Sequence, residues 1–164
     1  MSTGGSPVDE RRGKVGAADV RTAVVAARFN SHITDSLLAG ALAALREHGA
    51  ADEDIVSIRV PGAWELPQTA ARVVRSGDFD AVVALGCVIR GETPHFEYVC
   101  QEVSLGLGAV ARRSDIPVVF GVLTTDDDAQ ALARAGAGRD NKGYEAAMAA
   151  LEMVQVYRKL GASA

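Results

Sequence analysis

The feature that most constrains this chain is an alternation. Short, nearly uninterrupted apolar runs at 22–27, 81–89 and 118–123 are separated by longer segments in which apolar residues recur every three or four positions. A strand buried on one face alternates apolar with polar, so a continuous run implies a strand covered on both faces, as in parallel sheets. The run at 55–60 alternates in part and brings the set to four strands. Helical spacing predicts helices over about 31–47, 64–76, 94–113, 127–135 and 143–160. Right-handed crossovers between parallel strands lay such helices on both faces. The expectation is an α/β fold, a three-layer α/β/α sandwich on a four-stranded parallel sheet. In such folds ligands bind outside the carboxyl ends of the strands.

Boundary residues agree with this reading: Asn30 or Ser31 opens the first helix, Gly49 follows it, and Thr93-Pro94 opens the third. On the third helix Phe96, Val99, Cys100, Val103, Leu107 and Val110 form one apolar stripe, expected in the core. At 164 residues a single domain is expected, spanning 20–164. Residues 1–19, rich in Gly, Ser, Ala and mixed charge, read as a flexible tail.

Composition excludes several classes of function. A net charge of -4 and a pI near 5.4 give no general basic footprint, so nucleic acid is not an expected partner. No apolar run approaches the roughly 20 residues of a membrane span, and residues 1–20 lack the apolar core of a signal peptide. Cys87 and Cys100 make neither a disulfide framework nor a zinc pattern, which points to a reducing cytoplasm.

Four strand ends therefore carry the chemistry. At the first, Phe29 either stacks on a flat ligand ring or caps the core, and His32 reads as an exposed first-turn residue. At the second, Gly62 and Ala63 let backbone amides approach a polar ligand, with Glu65 in the first helical turn; Trp64 serves either a ligand or packing. The third is the richest. Gly91 breaks the strand, Glu92 and Thr93 occupy the loop, and His95 follows in the first helical turn. The positive end of the helix dipole disfavours imidazolium, which leaves a ring available as base or hydrogen-bond donor. At the fourth, Asp126, Asp127 and Asp128 read as first-turn caps in preference to metal ligands. Further on, Gly136-Ala137-Gly138-Arg139-Asp140-Asn141-Lys142-Gly143 lacks the residues of a Walker loop, and no strand precedes it. Arg134 and Lys142 remain candidates for binding a phosphate, with solvated surface charge as the alternative.

In order along the chain, Ala27-Arg28-Phe29-Asn30, Val60-Pro61-Gly62-Ala63-Trp64-Glu65-Leu66-Pro67, Leu85 through Val99 with its Ile89-Arg90-Gly91-Glu92-Thr93-Pro94-His95-Phe96 centre, Phe120-Gly121-Val122-Leu123-Thr124-Thr125, Arg134-Ala135-Gly136 and Asn141-Lys142-Gly143-Tyr144-Glu145-Ala146-Ala147 resemble the lumazine synthase family. The resemblance spans roughly residues 23–153 and implies a flavodoxin-like sheet. It implies condensation of 5-amino-6-(D-ribitylamino)uracil with 3,4-dihydroxy-2-butanone 4-phosphate to 6,7-dimethyl-8-ribityllumazine, phosphate and water, without a cofactor. By the same resemblance Phe29 stacks on the pyrimidine, while Ala63, Trp64 and Glu65 with Cys87, Val88 and Ile89 hold the uracil and ribityl groups. Glu92 and Thr93 meet the butanone phosphate, Arg134 binds its phosphate with Lys142 in support, and a neighbouring subunit contributes Phe120. His95 moves the protons. The family builds pentamers with sites between subunits, and some members assemble twelve pentamers into an icosahedral shell. The short link from Gly136 to Asn141 is like that of shell-forming members.

Two competing readings are a non-catalytic flavin or ribityl-ligand carrier and a purely structural shell protein. His95, Arg134 and Lys142 together argue against the carrier.

Overall fold

A computed structural model of the chain describes residues 11 and 13–161. Four strands, β1 (Thr22–Ala27), β2 (Ile55–Val60), β3 (Ala81–Ile89) and β4 (Val118–Thr125), form one parallel sheet in the order β2-β1-β3-β4. Five helices follow or connect them: α1 (Ser31–Glu47), α2 (Leu66–Ser76), α3 (His95–Arg112), α4 (Asp128–Arg134) and α5 (Lys142–Gly161). The expected α/β sandwich on a four-stranded parallel sheet is the fold observed. β4 runs two residues past its expected end, because Thr124 and Thr125 keep register with Val88 and Ile89, and β-branched side chains suit a pleated surface.

The continuous apolar runs have the two-sided burial they implied. Val24, Ala26, Val83, Leu85 and Cys87 pack with Ile33, Leu37, Leu45, Ala147 and Leu151 of α1 and α5. The alternate residues Ala23, Val25, Ala27, Val82 and Ala84 pack with Leu66, Ala70, Val103 and Leu107 of α2 and α3. Each fully buried Val or Leu contributes about 1.5–3 kcal/mol of transfer free energy, so the two central strands tolerate no polar face.

The segment expected as one helix over 64–76 is divided into a 3-10 turn, Ala63–Glu65, and α2. Pro67, in the first turn of α2, has no N–H to give the carbonyl four residues back, and a tighter turn takes that place. The stripe on α3 is core only in part. Val103 and Leu107 are buried, whereas Phe96, Val99, Cys100 and Val110 are half-buried and Tyr98 and Leu105 are exposed. Of the expected tail, residues 1–10 and 12 lie outside the described residues, but the chain is packed well before residue 20. Ala17 and Val20 are fully buried, and Ala17 N–H donates to the His48 carbonyl at 2.8 Å.

Close contact between α1 and α5 depends on Gly143. A β-carbon there would sit inside the radius of the Leu37 carbonyl oxygen, with backbone on both sides of the clash. Only glycine lets the two helices approach this far.

Candidate functional site

The carboxyl ends of β1, β2 and β3 open onto one cleft of about 500 Å³, lined by Phe29, Ala63, Trp64, Glu65, Cys87, Val88, Ile89, Thr93 and His95, together with Pro61, Gly62, Gly91, Phe96 and Val99. Nine of the expected site residues are thus brought together. Glu92 stands exposed in the same loop without lining the cleft, and Phe120, Arg134 and Lys142 do not line it either. The last three belong to β4 and to the ends of α4 and α5.

Backbone pairing carries the order of the sheet into the cleft wall. Beyond β1, Arg28 N–H donates to the Val60 carbonyl at 2.8 Å and Phe29 N–H to that of Pro61 at 3.0 Å. Phe29 is therefore fixed in backbone, while its side chain is 70% exposed. Asn30 opens α1, but not through the side-chain cap expected of it. It adopts a left-handed conformation at φ 58°, which asparagine tolerates better than most residues. Its carbonyl accepts from Ile33 and Thr34 N–H, and its amide Nδ2 donates across the sheet to the Cys87 carbonyl at 2.9 Å. That bond joins the Phe29 turn to the end of β3.

Trp64 is 51% exposed, so the alternative of packing within the chain does not account for it. Large aromatic surface left open in a mainly apolar cleft favours a flat, partly apolar ligand. Glu65 accepts from Gly62 N–H at 2.9 Å while its own N–H donates to the Gly62 carbonyl at 3.3 Å. The Gly62 amide, expected to face a ligand, is thereby occupied within the turn. Cys87 contributes a wall and no nucleophile, since burial, followed by the nearby Asp128 carboxylate, pushes its thiol up to about 11.

His95 is the first residue of α3. The position before it is Pro94 at φ -65°, and its carbonyl accepts from Glu97 N–H at 3.1 Å and Tyr98 N–H at 3.4 Å. Thr93 makes no capping bond, contrary to expectation, because the proline occupies the cap. The His95 imidazole is exposed to the cleft and has no hydrogen-bond partner among the described residues. Both ring nitrogens are free for a ligand.

The three acids after β4 diverge. Asp126 accepts from Arg90 Nε at 2.9 Å, Asp127 caps α4 by accepting from Gln130 N–H at 2.8 Å, and Asp128 lies 2.6 Å from His32 Nε2. Capping, the preferred reading, is what Asp127 does. At the far end of α4, Arg134 Nη1 donates to the Gln130 carbonyl at 3.0 Å, and Lys142 Nζ pairs with Glu145 at 2.7 Å. Both cations are held near the helix ends and point to no group in the His95 cleft.

Sequence reading missed Asn141 as the joint between these cations, and it missed Arg90. Asn141 is buried, caps α5 and bonds the end of α4. A polar residue immediately before a helix start was the available signal, but its three carbonyl partners leave none.

The fold and cleft together define a flavodoxin-like α/β protein with an open cleft at the carboxyl edge of its sheet. Among the described residues no helix is long and apolar enough to cross a membrane. Residues 19–158 match the family of 6,7-dimethyl-8-ribityllumazine synthase, and the chain belongs to that family. It stands among the enzymes of lumazine formation in riboflavin biosynthesis.

Proposed function

We propose that the chain condenses 5-amino-6-(D-ribitylamino)uracil with 3,4-dihydroxy-2-butanone 4-phosphate, releasing phosphate and water and leaving 6,7-dimethyl-8-ribityllumazine, the penultimate step of riboflavin biosynthesis. The observation that carries this reading is a cleft in which exposed aromatics and an unpartnered histidine meet at the carboxyl edge of the family's sheet. Phe29 stacks on the pyrimidine. The walls from Ala63 to Glu65 and from Cys87 to Ile89 hold the uracil and ribityl groups, and Glu92 and Thr93 meet the butanone phosphate. Schiff-base formation, phosphate elimination, tautomerisation and ring closure each move a proton, and His95 gives and takes it with both nitrogens free. Holding two substrates in reacting geometry supplies much of the remaining acceleration.

Arg134 and Lys142 stand outside the cleft of their own chain, as does Phe120. We infer that a neighbouring copy in a pentamer supplies all three, so that the phosphate is held across the subunit boundary. Exposed Phe120 and Leu132 fit surfaces awaiting such a neighbour. The short turn between α4 and α5 favours assembly of twelve pentamers into a shell. Two free thiols fit a cytoplasmic location.

The test is to mix the two substrates and follow lumazine absorbance and fluorescence. Acceleration over the uncatalysed rate is expected, with His95→Ala slower by roughly 10²-fold, the low end of what a positioned acid–base group supplies. No acceleration by the native chain would leave carrier or shell as the function, and native turnover in His95→Ala would remove the role of that residue. Light scattering that returns the mass of one pentamer would refute the shell.

A further inference from the structure

Arg90, the first residue beyond β3, anchors the segment that carries the cleft histidine. Its N–H extends the sheet by donating to the Thr125 carbonyl at 2.9 Å. Its Nε donates to Asp126 at 2.9 Å, and its Nη1 donates to the Glu97 carboxylate. The centre of the guanidinium lies 4.4 Å from the centroid of the Phe96 ring. One planar group therefore spans the end of β3, the loop after β4 and the two residues that follow His95.

An isolated surface ion pair contributes little to stability. This one differs in form, because a rigid fork engages two carboxylates while its face covers an aromatic ring, an arrangement lysine cannot reproduce. Glu97 stays ionised to support it: its own backbone N–H first, and Arg90 second, hold its carboxyl below the ordinary range. The rest of the loop has no comparable tether. The side chains of Glu92, Thr93 and His95 make no hydrogen bond among the described residues. The location of the imidazole is then set by the backbone of the first turn of α3, and that turn is held from outside the cleft by Arg90.

We propose that Arg90 is a positioning residue for His95: by clamping Phe96 and Glu97 against the end of β4, it sets where the first turn of α3 presents the imidazole to the cleft. The proposal rests on the role of His95 given above. It extends that role to a residue that lines no part of the cleft.

Arg90→Gln and Arg90→Lys, prepared as assembled full-length protein with His95 intact and with His95→Ala, test it in two ways. Hydrogen–deuterium exchange read by mass spectrometry needs no turnover, and the hydrogen-bonded amides of residues 97–99 are expected to exchange about fivefold faster or more in both variants while the strands stay unchanged. Unchanged exchange would overturn the clamp. In steady-state kinetics kcat is expected to fall about ten- to a hundredfold, the scale of a 1 Å misplacement, with both KM values within about twofold. In the His95→Ala background the same substitutions should change kcat by less than about twofold, because effects through one residue are not additive. An equal fall in both backgrounds, a rise in KM with kcat retained, or full rescue by lysine would each overturn the proposal. A native protein that fails to accelerate the condensation is a separate result, removing the proposed function and the catalytic consequence of Arg90 with it.

Discussion

Replacing Asn141 by alanine should destabilise the fold, and the magnitude follows from its bonds. The side chain is only 3% exposed. Its Oδ1 accepts from Gly143 N–H at 2.8 Å and Tyr144 N–H at 3.2 Å, which caps α5. Its Nδ2 donates to the carbonyls of Gly136 at 2.8 Å, Ser36 at 3.0 Å and Ala135 at 3.2 Å. Loss of the cap costs about 1 kcal/mol. Of the three carbonyls, that of exposed Gly136 gains water, whereas buried Ala135 is stranded, at a cost of about 1–3 kcal/mol. The sum for Asn141→Ala is about 2–4 kcal/mol, and at 2–4 °C per kcal/mol for a domain of this size the thermal midpoint falls by about 5–15 °C. Scanning calorimetry at one fixed protein concentration is the assay, since subunit association shifts the midpoint by mass action. Asn141→Asp separates the two contributions. It keeps the capping oxygen but turns a carboxylate towards three carbonyls, so the fold favours its protonated form and raises its pKa. Its stability should rise as pH falls through that raised value, whereas that of the alanine variant should not. A loss below about 2 °C for alanine would refute the assignment of Asn141 as the joint between α4 and α5.

Phe29→Ala should leave the thermal midpoint unchanged, because the ring is exposed, and raise KM for the pyrimidine about two- to tenfold, the worth of an aromatic contact; an unchanged KM would show that the ring does not stack. Arg134→Ala should raise KM for the butanone phosphate by about ten- to a hundredfold through loss of a charged hydrogen bond, while leaving KM for the pyrimidine alone. If the pyrimidine constant moves instead, the phosphate assignment is wrong. Cys87, with its thiol raised from 9.0 to about 11 by burial and then by Asp128, should resist alkylation at pH 8 until the chain is unfolded. The fold favours the protonated thiol, so the contribution of Cys87 to stability is constant below about pH 9 and is lost as pH climbs from there towards 11. Urea midpoints of the native protein and Cys87→Ala across that range will check the sign.

The sheet was legible in the sequence because two-sided burial writes itself directly into continuous apolar runs such as Ala81–Ile89. The helix over Ser31–Glu47 was legible for the same reason, through its spacing. The cleft was legible as the sum of the strand ends, so Phe29, Trp64, Cys87 and His95 converge as expected. Reading failed wherever a partner lies far along the chain. Nothing local to Asn30 reveals that its amide reaches Cys87, and nothing local to Arg90 reveals Asp126. The half-buried outer residues of the α3 stripe show the other failure: periodicity marks an apolar face without saying what covers it. Ala17 and Val20 hold their buried places without any periodicity to announce them.

The distance between the His95 cleft and the Arg134–Lys142 corner of the same chain has a genetic meaning. If each working site draws one half from each of two copies, a chain damaged at His95 still lends its neighbour a sound phosphate corner, and one damaged at Arg134 still offers a sound cleft. In a mixed ring such a pair meets in the productive order at about one boundary in four. On that arrangement, defects in the two halves would complement each other, whereas two defects in the same half would not.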